Sequence, residues 1–459
     1  MITLRKEQKM QLRLLFLTLL LSSCTMGPNY KKPVMDIPTK FKEAGIDWVV
    51  FEQKDVKEKS NWWLQFKDKE LNELEDKLNN SNFTIQAAQS SYLQASALVD
   101  KARTSYLPNI SATSSILKSK QATTSVSRSL QLQASWELDV WGSVSRKVES
   151  SIASRQAAQA NLDAAKLSAQ SSLAQFYYEL MMADKDQELL DKIALAYQGL
   201  LDYEKARYKK GVSGDQAIVI AEQKYELAKL AANNNKIIRS QYEHAIAALL
   251  GEFASDFSHT TVHNYPTLSI PVAIPSVALQ KRPDVIASEM QVRIASANIG
   301  IAKSAFFPVL SIVGNNTYSG TGSKKLMSLP TLAWSVGPEL ALNLTNLIAY
   351  KSTMKAVWQA YEASVASYKQ TVISAVADVE DNMSSLKHLN EQVKNAKTAR
   401  DKSKRYLAIA ENQYKAGIID RYQVLTAKIS YYAAEKTLNN TLGLQTTSAI
   451  GLIKAMGGM

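Results

Sequence analysis

The chain repeats itself at an offset of about 200 residues, which limits its possible folds more than any other feature. "TSYLPNISA" at 104–112 returns as "SAFFPVLSI" at 304–312, and "WELDV" at 136–140 as "PELAL" at 338–342. "YKKGV" at 208–212 returns as "YKAGI" at 414–418, and "LLG" ending at 251 matches "MGG" near 457. Solenoid units are far shorter, about 20 to 50 residues, so each half is a duplicated domain facing the same folding problem.

Each half contains a segment that alternates strictly. In "LQLQASWELDVW", Leu130, Leu132, Ala134, Trp136, Leu138 and Val140 face one way, and Gln131, Gln133, Ser135, Glu137 and Asp139 the other. In the second half Leu332, Trp334, Val336, Leu340, Leu342 and Leu344 oppose Thr331, Ser335, Glu339, Asn343 and Thr345. Segments of roughly ten residues with one apolar and one polar face fit membrane strands, with lipid outside and a wet lumen inside. A soluble sandwich shows the same alternation. Their partners, "LPNISATSS" and "FPVLSIVGN", alternate less cleanly, while Tyr106, Trp141, Phe306, Phe307 and Tyr318 are candidate interfacial aromatics. Four strands cannot close a barrel in lipid, where the smallest usual bacterial barrel has about eight and open edges are not tolerated. Several chains must therefore close one barrel together.

Between these strand pairs run proline-free stretches at 143–210 and 346–416, and glycine is scarce. A helix of that length reaches about 100 Å, far beyond a globular domain. Ala153, Ala160, Leu167, Ala174 and Met181 recur every seven residues, interleaved with Ala157, Ala164, Ser171 and Tyr178. A second seam carries Leu162, Ala169, Phe176, Ala183, Leu190 and Tyr197. The later stretch repeats both, with Ala356, Ala363, Gln370, Ala377 and Ser384, then Val365, Val372, Val379, Leu386 and Val393. Two seams on nearly opposite faces call for a neighbour on each side, as for a stave in a closed tube.

Cys24 is the only cysteine, so it can form no internal disulfide and no cysteine-based metal site. Before it come Arg5, Lys6, Lys9 and Arg13, then an apolar run from Leu14 to Leu21 that is too short to span a bilayer. This is the pattern of a secretory leader, and "LSSC" looks like a bacterial lipobox, which implies cleavage before Cys24 and a diacylglycerol and N-acyl lipid on it. Thr25, rather than aspartate, follows it, which favours the outer membrane. No other apolar run reaches the length of a membrane helix, so any crossing is made by strands. The formal charge of +12 is spread along the chain rather than gathered in a run, and an exported chain has little access to nucleic acid.

Three stretches carry a family resemblance: "CTMGPNYKKP" from Cys24, "SWELDVWG" at 135–142, and "KRPDVIASEMQVRIASANIGIAKSAFFP" at 281–308. The chain resembles TolC-like outer-membrane efflux channels, in the lipoprotein subgroup that includes OprM and NodT. The resemblance implies a mainly α fold: an internally duplicated, long-helix coiled-coil tunnel in the periplasm. Each chain would give four strands to a trimeric, 12-stranded transmembrane β-barrel. It implies a homotrimer, a periplasmic adaptor protein, and an inner-membrane pump of the resistance-nodulation-division class. The expected organisation is a leader at 1–23, a lipid-anchored extended or equatorial segment at 24–80, a first repeat at 81–251, a linker at 252–280 containing Pro266, Pro271 and Pro275, and a second repeat at 281–459. Each repeat is expected to run helix, strand pair, long helix, tip, helix.

Catalytic motifs are lacking. "SGTGSKK" at 319–325 lacks Walker A spacing and sits between two strand segments, so it reads as a hairpin loop. His259 and His263 are four apart, but in a linker and without the glutamate of a zinc protease. The reading is therefore a non-enzymatic duct without cofactor or metal, passing small toxic compounds through a tripartite efflux pump. The alternatives are the outer-membrane channel of a type I protein-secretion system, or a non-transporting lipoprotein spacer.

"YKKGVSGD" and "YKAGIIDR" interrupt the long helices with glycine, suited to the left-handed turn that lets a chain reverse. The resemblance makes these turns the periplasmic tips that narrow into a gate, with Tyr414 and Gly417 at family positions; Tyr208, Gly211, Asp215, Asp420 and Arg421 complete the candidate tip and gate. Gln423 and Thr426 stand where TolC-like channels commonly carry aspartates. Asp420 or Asp215 is expected to supply the missing carboxylates.

Overall fold

The computed structural model describes residues 25–35, 42, 61–120, 124–259, 265–266, 279, 281–321 and 332–458. Cys24 and the preceding residues 1–23, His263, Pro271, Pro275, Thr331 and residues 322–330 lie outside them.

The described elements are α1 (Lys69–Ser81), α2 (Phe83–Arg103), β1 (Asn109–Lys120), β2 (Thr124–Glu137), α3 (Ser143–Lys209), α4 (Asp215–Leu249), α5 (Pro283–Ser304), β3 (Val309–Thr321), β4 (Leu332–Ala341), α6 (Leu344–Lys415) and α7 (Arg421–Ala455). The two long helices begin and end within two residues of the proline-free stretches. They form two compact units, each built from both halves of the chain: residues up to 35 with 89–161 and 284–371, and residues 36–88 with 162–283 and 372–459.

The first unit contains one antiparallel sheet in the order β1-β2-β3-β4. Its register fixes which side chains share a face across the strands. Ala134 pairs with Ile110 and Gly314, Leu132 with Ala112 and Asn316, and Trp334 and Val336 with Asn316 and Gly314. Because side chains alternate between faces, this aligns Ile110, Leu132, Ala134, Trp136, Ile312, Trp334, Val336 and Leu340 on one face. That face is uncovered: Trp334 is 73% exposed and Leu340 67%. The opposite face carries Gln131, Gln133, Ser135, Asn315, Thr317 and Ser335. Among the described residues β1 and β4 each pair on one side only.

The strand-to-helix junction explains "WELDVWG". The Asp139 carboxylate accepts hydrogen bonds from the Val144 and Ser145 amides, both at 2.8 Å, so it caps α3. Gly142 takes φ +76°, and Thr25 packs so closely that a Cβ there would lie 2.8 Å from the Thr25 Cα. Trp141 stacks on Phe307 with centroids 4.7 Å apart, and its indole donates to the Pro308 carbonyl at 2.8 Å. Phe306 meets the Phe307 edge and lies against Tyr350. The aromatics expected at an interface thus gather at the helical end of the sheet. Tyr318 is the exception, since it sits within β3 opposite Leu130 and Leu332.

In the second unit four helices lie in the order α4–α3–α7–α6. Asn235 of α4 donates to the Ala183 carbonyl of α3 at 2.8 Å, and Arg239 pairs with Asp184 at 2.5 Å. Asn439 of α7 donates to Met182 and Asp186 of α3, at 3.0 and 2.8 Å. Arg400 and Glu411 of α6 pair with Glu435 and Lys428 of α7, both at 3.5 Å. α3 has a neighbour on each side, and both of its seams are covered: Ala174, Met181 and Tyr178 on one, Leu162, Ala169, Ala183 and Leu190 on the other.

α6 departs from the expectation of two covered seams. Val372, Val379, Leu386 and Val393 are buried, but Ala377 is exposed, as are Ala356, Ala363 and Gln370 in the first unit. The physical reason is position in the row: among the described residues α6 is its last helix, and no described helix lies beyond it. α4, the other end helix, likewise buries Ala221, Ala228 and Asn235 and exposes Ile220, Leu227, Leu230, Ile237 and Ile238.

"KRPDV" has a packing explanation. Arg282 is buried, donating to the Ala455 carbonyl at 2.9 Å and to Asp378 at 3.1 Å. Its cation therefore sits on the negative C-terminal end of α7 while holding α6. No described helix is long and apolar enough to cross a membrane.

Candidate functional site: the helix tips

α3 and α6 end in the same way. The Gly211 amide bonds the Tyr208 carbonyl at 2.9 Å and the Val212 amide bonds Arg207 at 3.0 Å. At the second tip the Gly417 amide bonds Tyr414 at 3.0 Å and the Ile418 amide bonds Gln413 at 2.9 Å. These paired bonds define a Schellman motif, whose turning residue must be left-handed. Gly211 has φ +70° and Gly417 +72°. Neither has an atom within 4 Å of where a Cβ would stand, so conformation rather than crowding calls for glycine.

Beyond the turns the two tips differ. Asp420 caps α7, accepting from the Gln423 amide at 3.1 Å through Oδ1. Its Oδ2 accepts a 2.9 Å hydrogen bond from the Tyr203 hydroxyl of α3. Desolvation, then this bond, raises the Tyr203 pKa, so the hydroxyl keeps its proton and stays a donor. The Tyr203 ring in turn lies 5.7 Å from the Arg207 guanidinium and 6.3 Å from the Tyr422 ring. Arg207 pairs with the buried Glu204 at 3.4 Å. An Arg207–Tyr203–Asp420 chain therefore ties α3 to α7 beside the second tip.

Of the residues singled out in the sequence, Asp420 alone is drawn into this contact. Asp215 is the first residue of α4, after an N-cap Gly214 without a side-chain cap, and Arg421 is the exposed first residue of α7. Tyr208 and Tyr414 are exposed, and their backbone carbonyls close the turns. The tips also present bare apolar side chains, with Val212 60% and Ile418 70% exposed. Tyr203 was missed. Its signal was faint, a tyrosine four residues before an arginine on one helix face, with its partner 217 positions away.

His259 is held structurally: its amide donates to Glu243 at 2.9 Å, and its ring lies between Phe257 and Tyr177. Among the described residues no three His, Cys, Asp or Glu side chains are grouped to hold a metal.

A sheet with a bare apolar face and two open edges, joined to a row of long reversing helices, defines a membrane channel subunit. The chain belongs to the outer membrane efflux protein family, whose model matches residues 74–252 and 274–458. It is 26% identical over 436 residues to nodulation protein T of Rhizobium leguminosarum bv. trifolii, covering 92% of each chain. It is 24% identical over 455 residues to the probable efflux pump outer membrane protein TtgC of Pseudomonas putida, covering 96% of this chain and 93% of that one. Its fold matches the Campylobacter jejuni CmeC outer membrane channel with a TM-score of 0.86, at 23% identity and 95% coverage of each chain. The chain is thus an outer-membrane exit duct for efflux.

Proposed function

We propose that three copies of this chain form a passive duct that takes small toxic compounds from a periplasmic adaptor and an inner-membrane pump to the cell exterior. The observation that carries this reading is the pairing of open ends among the described residues: β1 and β4 each have an unpaired edge, and α4 and α6 are the end helices of the row. Unpaired edges do not persist in lipid, so copies must join β4 to β1 and, by the same closure, α6 to α4. No catalytic step is required, since energy for export would come from the pump.

Cys24 is proposed to carry the lipid. Thr25, which follows it in the chain, packs on Gly142 at the helical end of the sheet, beside the Trp141–Phe307 stack. A lipid attached at this level would enter the membrane where the apolar band ends. Fatty-acid labelling of wild type and Cys24→Ser tests this; label retained by the serine variant sinks it.

The periplasmic gate is proposed at the second tip, with Asp420 presented once per copy and held by Tyr203. The decisive experiment is reconstitution of the purified chain into planar bilayers, with drug susceptibility of a deletion strain in parallel. Ion conductance together with broadened susceptibility is expected. A chain that forms no conducting pore would refute the duct.

A further inference from the structure

Close to the helical end of the sheet, in the same unit, lies a hollow of about 480 Å³ lined by Thr25, Asn29, Tyr30, Arg146, Glu149 and Arg293 among others. Arg146 is nearly enclosed and fully engaged. It pairs with Glu149 at 2.7 Å and donates to the Met26 carbonyl at 3.3 Å and to Asn29 Oδ1 at 3.1 Å. Arg293 is placed but underused. Its Nε is buried without a hydrogen-bond partner and lies 3.6 Å from Glu149 Oε1, while its Nη1 reaches Gln156 only at 3.5 Å. The Tyr30 ring, 5.9 Å away, helps hold the guanidinium, and the Tyr30 hydroxyl is itself fixed on Glu289 at 3.1 Å. Lys32 occupies Glu289 at 2.7 Å. Three cations, Lys32, Arg146 and Arg293, thus gather around the Glu149 and Glu289 carboxylates.

We propose that this hollow binds the phosphate of a membrane phospholipid headgroup. A guanidinium with open donors suits a phosphate, whose oxygens accept paired, charge-assisted bonds. The Asn29 amide, whose oxygen is already turned to Arg146, offers a further donor at the mouth. Location selects a lipid. Thr25 lines the hollow and rests on Gly142, where the apolar sheet face ends and Trp141 and Phe307 stack. Aromatics of this kind mark headgroup depth in outer-membrane barrels. The proposal needs the membrane position of the sheet but not the lipid on Cys24, so a Cys24→Ser protein should bind equally well.

The test uses the full chain, purified and delipidated, with phosphatidylethanolamine, diacylglycerol and inorganic phosphate as separate probes. Bound lipid is counted by native mass spectrometry. Wild type is expected to retain about one phosphatidylethanolamine per chain and no diacylglycerol. Losing charge-assisted hydrogen bonds should weaken retention about tenfold or more in Arg293→Gln, with partial rescue in Arg293→Lys. Asn29 is exposed, so Asn29→Asp should fold normally yet repel the phosphate. Equal retention by wild type and a folded Asn29→Asp or Arg293→Gln would overturn the site. Inorganic phosphate binding that depends on Arg293, without lipid retention, would overturn the lipid as its occupant.

Discussion

Glu75 of α1 has no exposed surface, and neither carboxylate oxygen has a hydrogen-bond partner in the structure. Desolvation, with a smaller contribution from Asp76, pushes its pKa up to about 9 from an ordinary 4.5. The folded state therefore holds a proton that the unfolded chain releases, and stability falls as pH rises from about 4.5 to about 9. Glu75→Gln keeps the shape without that proton demand, and should be more stable than wild type by about 3 kcal/mol at pH 7. The two should converge near pH 4.5. Thermal denaturation across pH 5 to 9 checks this, and parallel curves for the two proteins would contradict it. At the tips, Tyr203→Phe removes the donor that holds Asp420, while Asp420→Ala removes the carboxylate. If the gate lies there, Tyr203→Phe should raise open probability in bilayers and Asp420→Ala should change cation preference. Unchanged conductance and selectivity in both would place the constriction elsewhere.

Among the elements, the helix turns depend on backbone conformation and the long helices on their ends. Gly417→Ala forces a Cβ into a left-handed residue and should cost about 1 kcal/mol. Gly417→Pro also demands negative φ and deletes the amide that bonds the Tyr414 carbonyl. The proline variants of Gly211 and Gly417 should leave trimers in the membrane yet abolish drug resistance. Normal resistance in both would reject the tip assignment. Arg282 acts at the opposite end of α7, and Arg282→Ala leaves the Ala455 carbonyl and Asp378 without their cation. A loss of about 2 kcal/mol is expected for charged hydrogen bonds of this kind, read as a lowered urea midpoint.

For the whole molecule, the uncovered faces of α4 and α6 set the assembly. Leu227→Glu on α4 and Ala360→Glu on α6 each place a carboxylate on a face that one chain leaves bare. Where a second copy buries that face, an unpaired charge is costly. Both variants should fold as chains but lose the heat-resistant trimer on semi-native gels. Full trimer yield from both would mean that those faces remain in water.

Strand alternation, heptad seams and the two glycine turns were legible because each follows from local geometry: a period of two, a period near 3.5, and a backbone angle only glycine adopts cheaply. Alternation marked β2 and β4, though it continued past the Glu137 and Ala341 ends, and the proline-free stretches matched the limits of α3 and α6 to within two residues. α6 shows where that reading stops, since its two apolar seams gave no hint that the chain covers only one of them. The row α4–α3–α7–α6, the Tyr203 bond to Asp420, the grip of Arg282 on α7 and the gathering of Arg146 and Arg293 around Glu149 were decided by tertiary structure alone. Their partners are distant in the chain, 217 positions for Tyr203 and 173 for Arg282 with Ala455. No periodicity spans such a separation; only the packing of whole helices brings those side chains within reach.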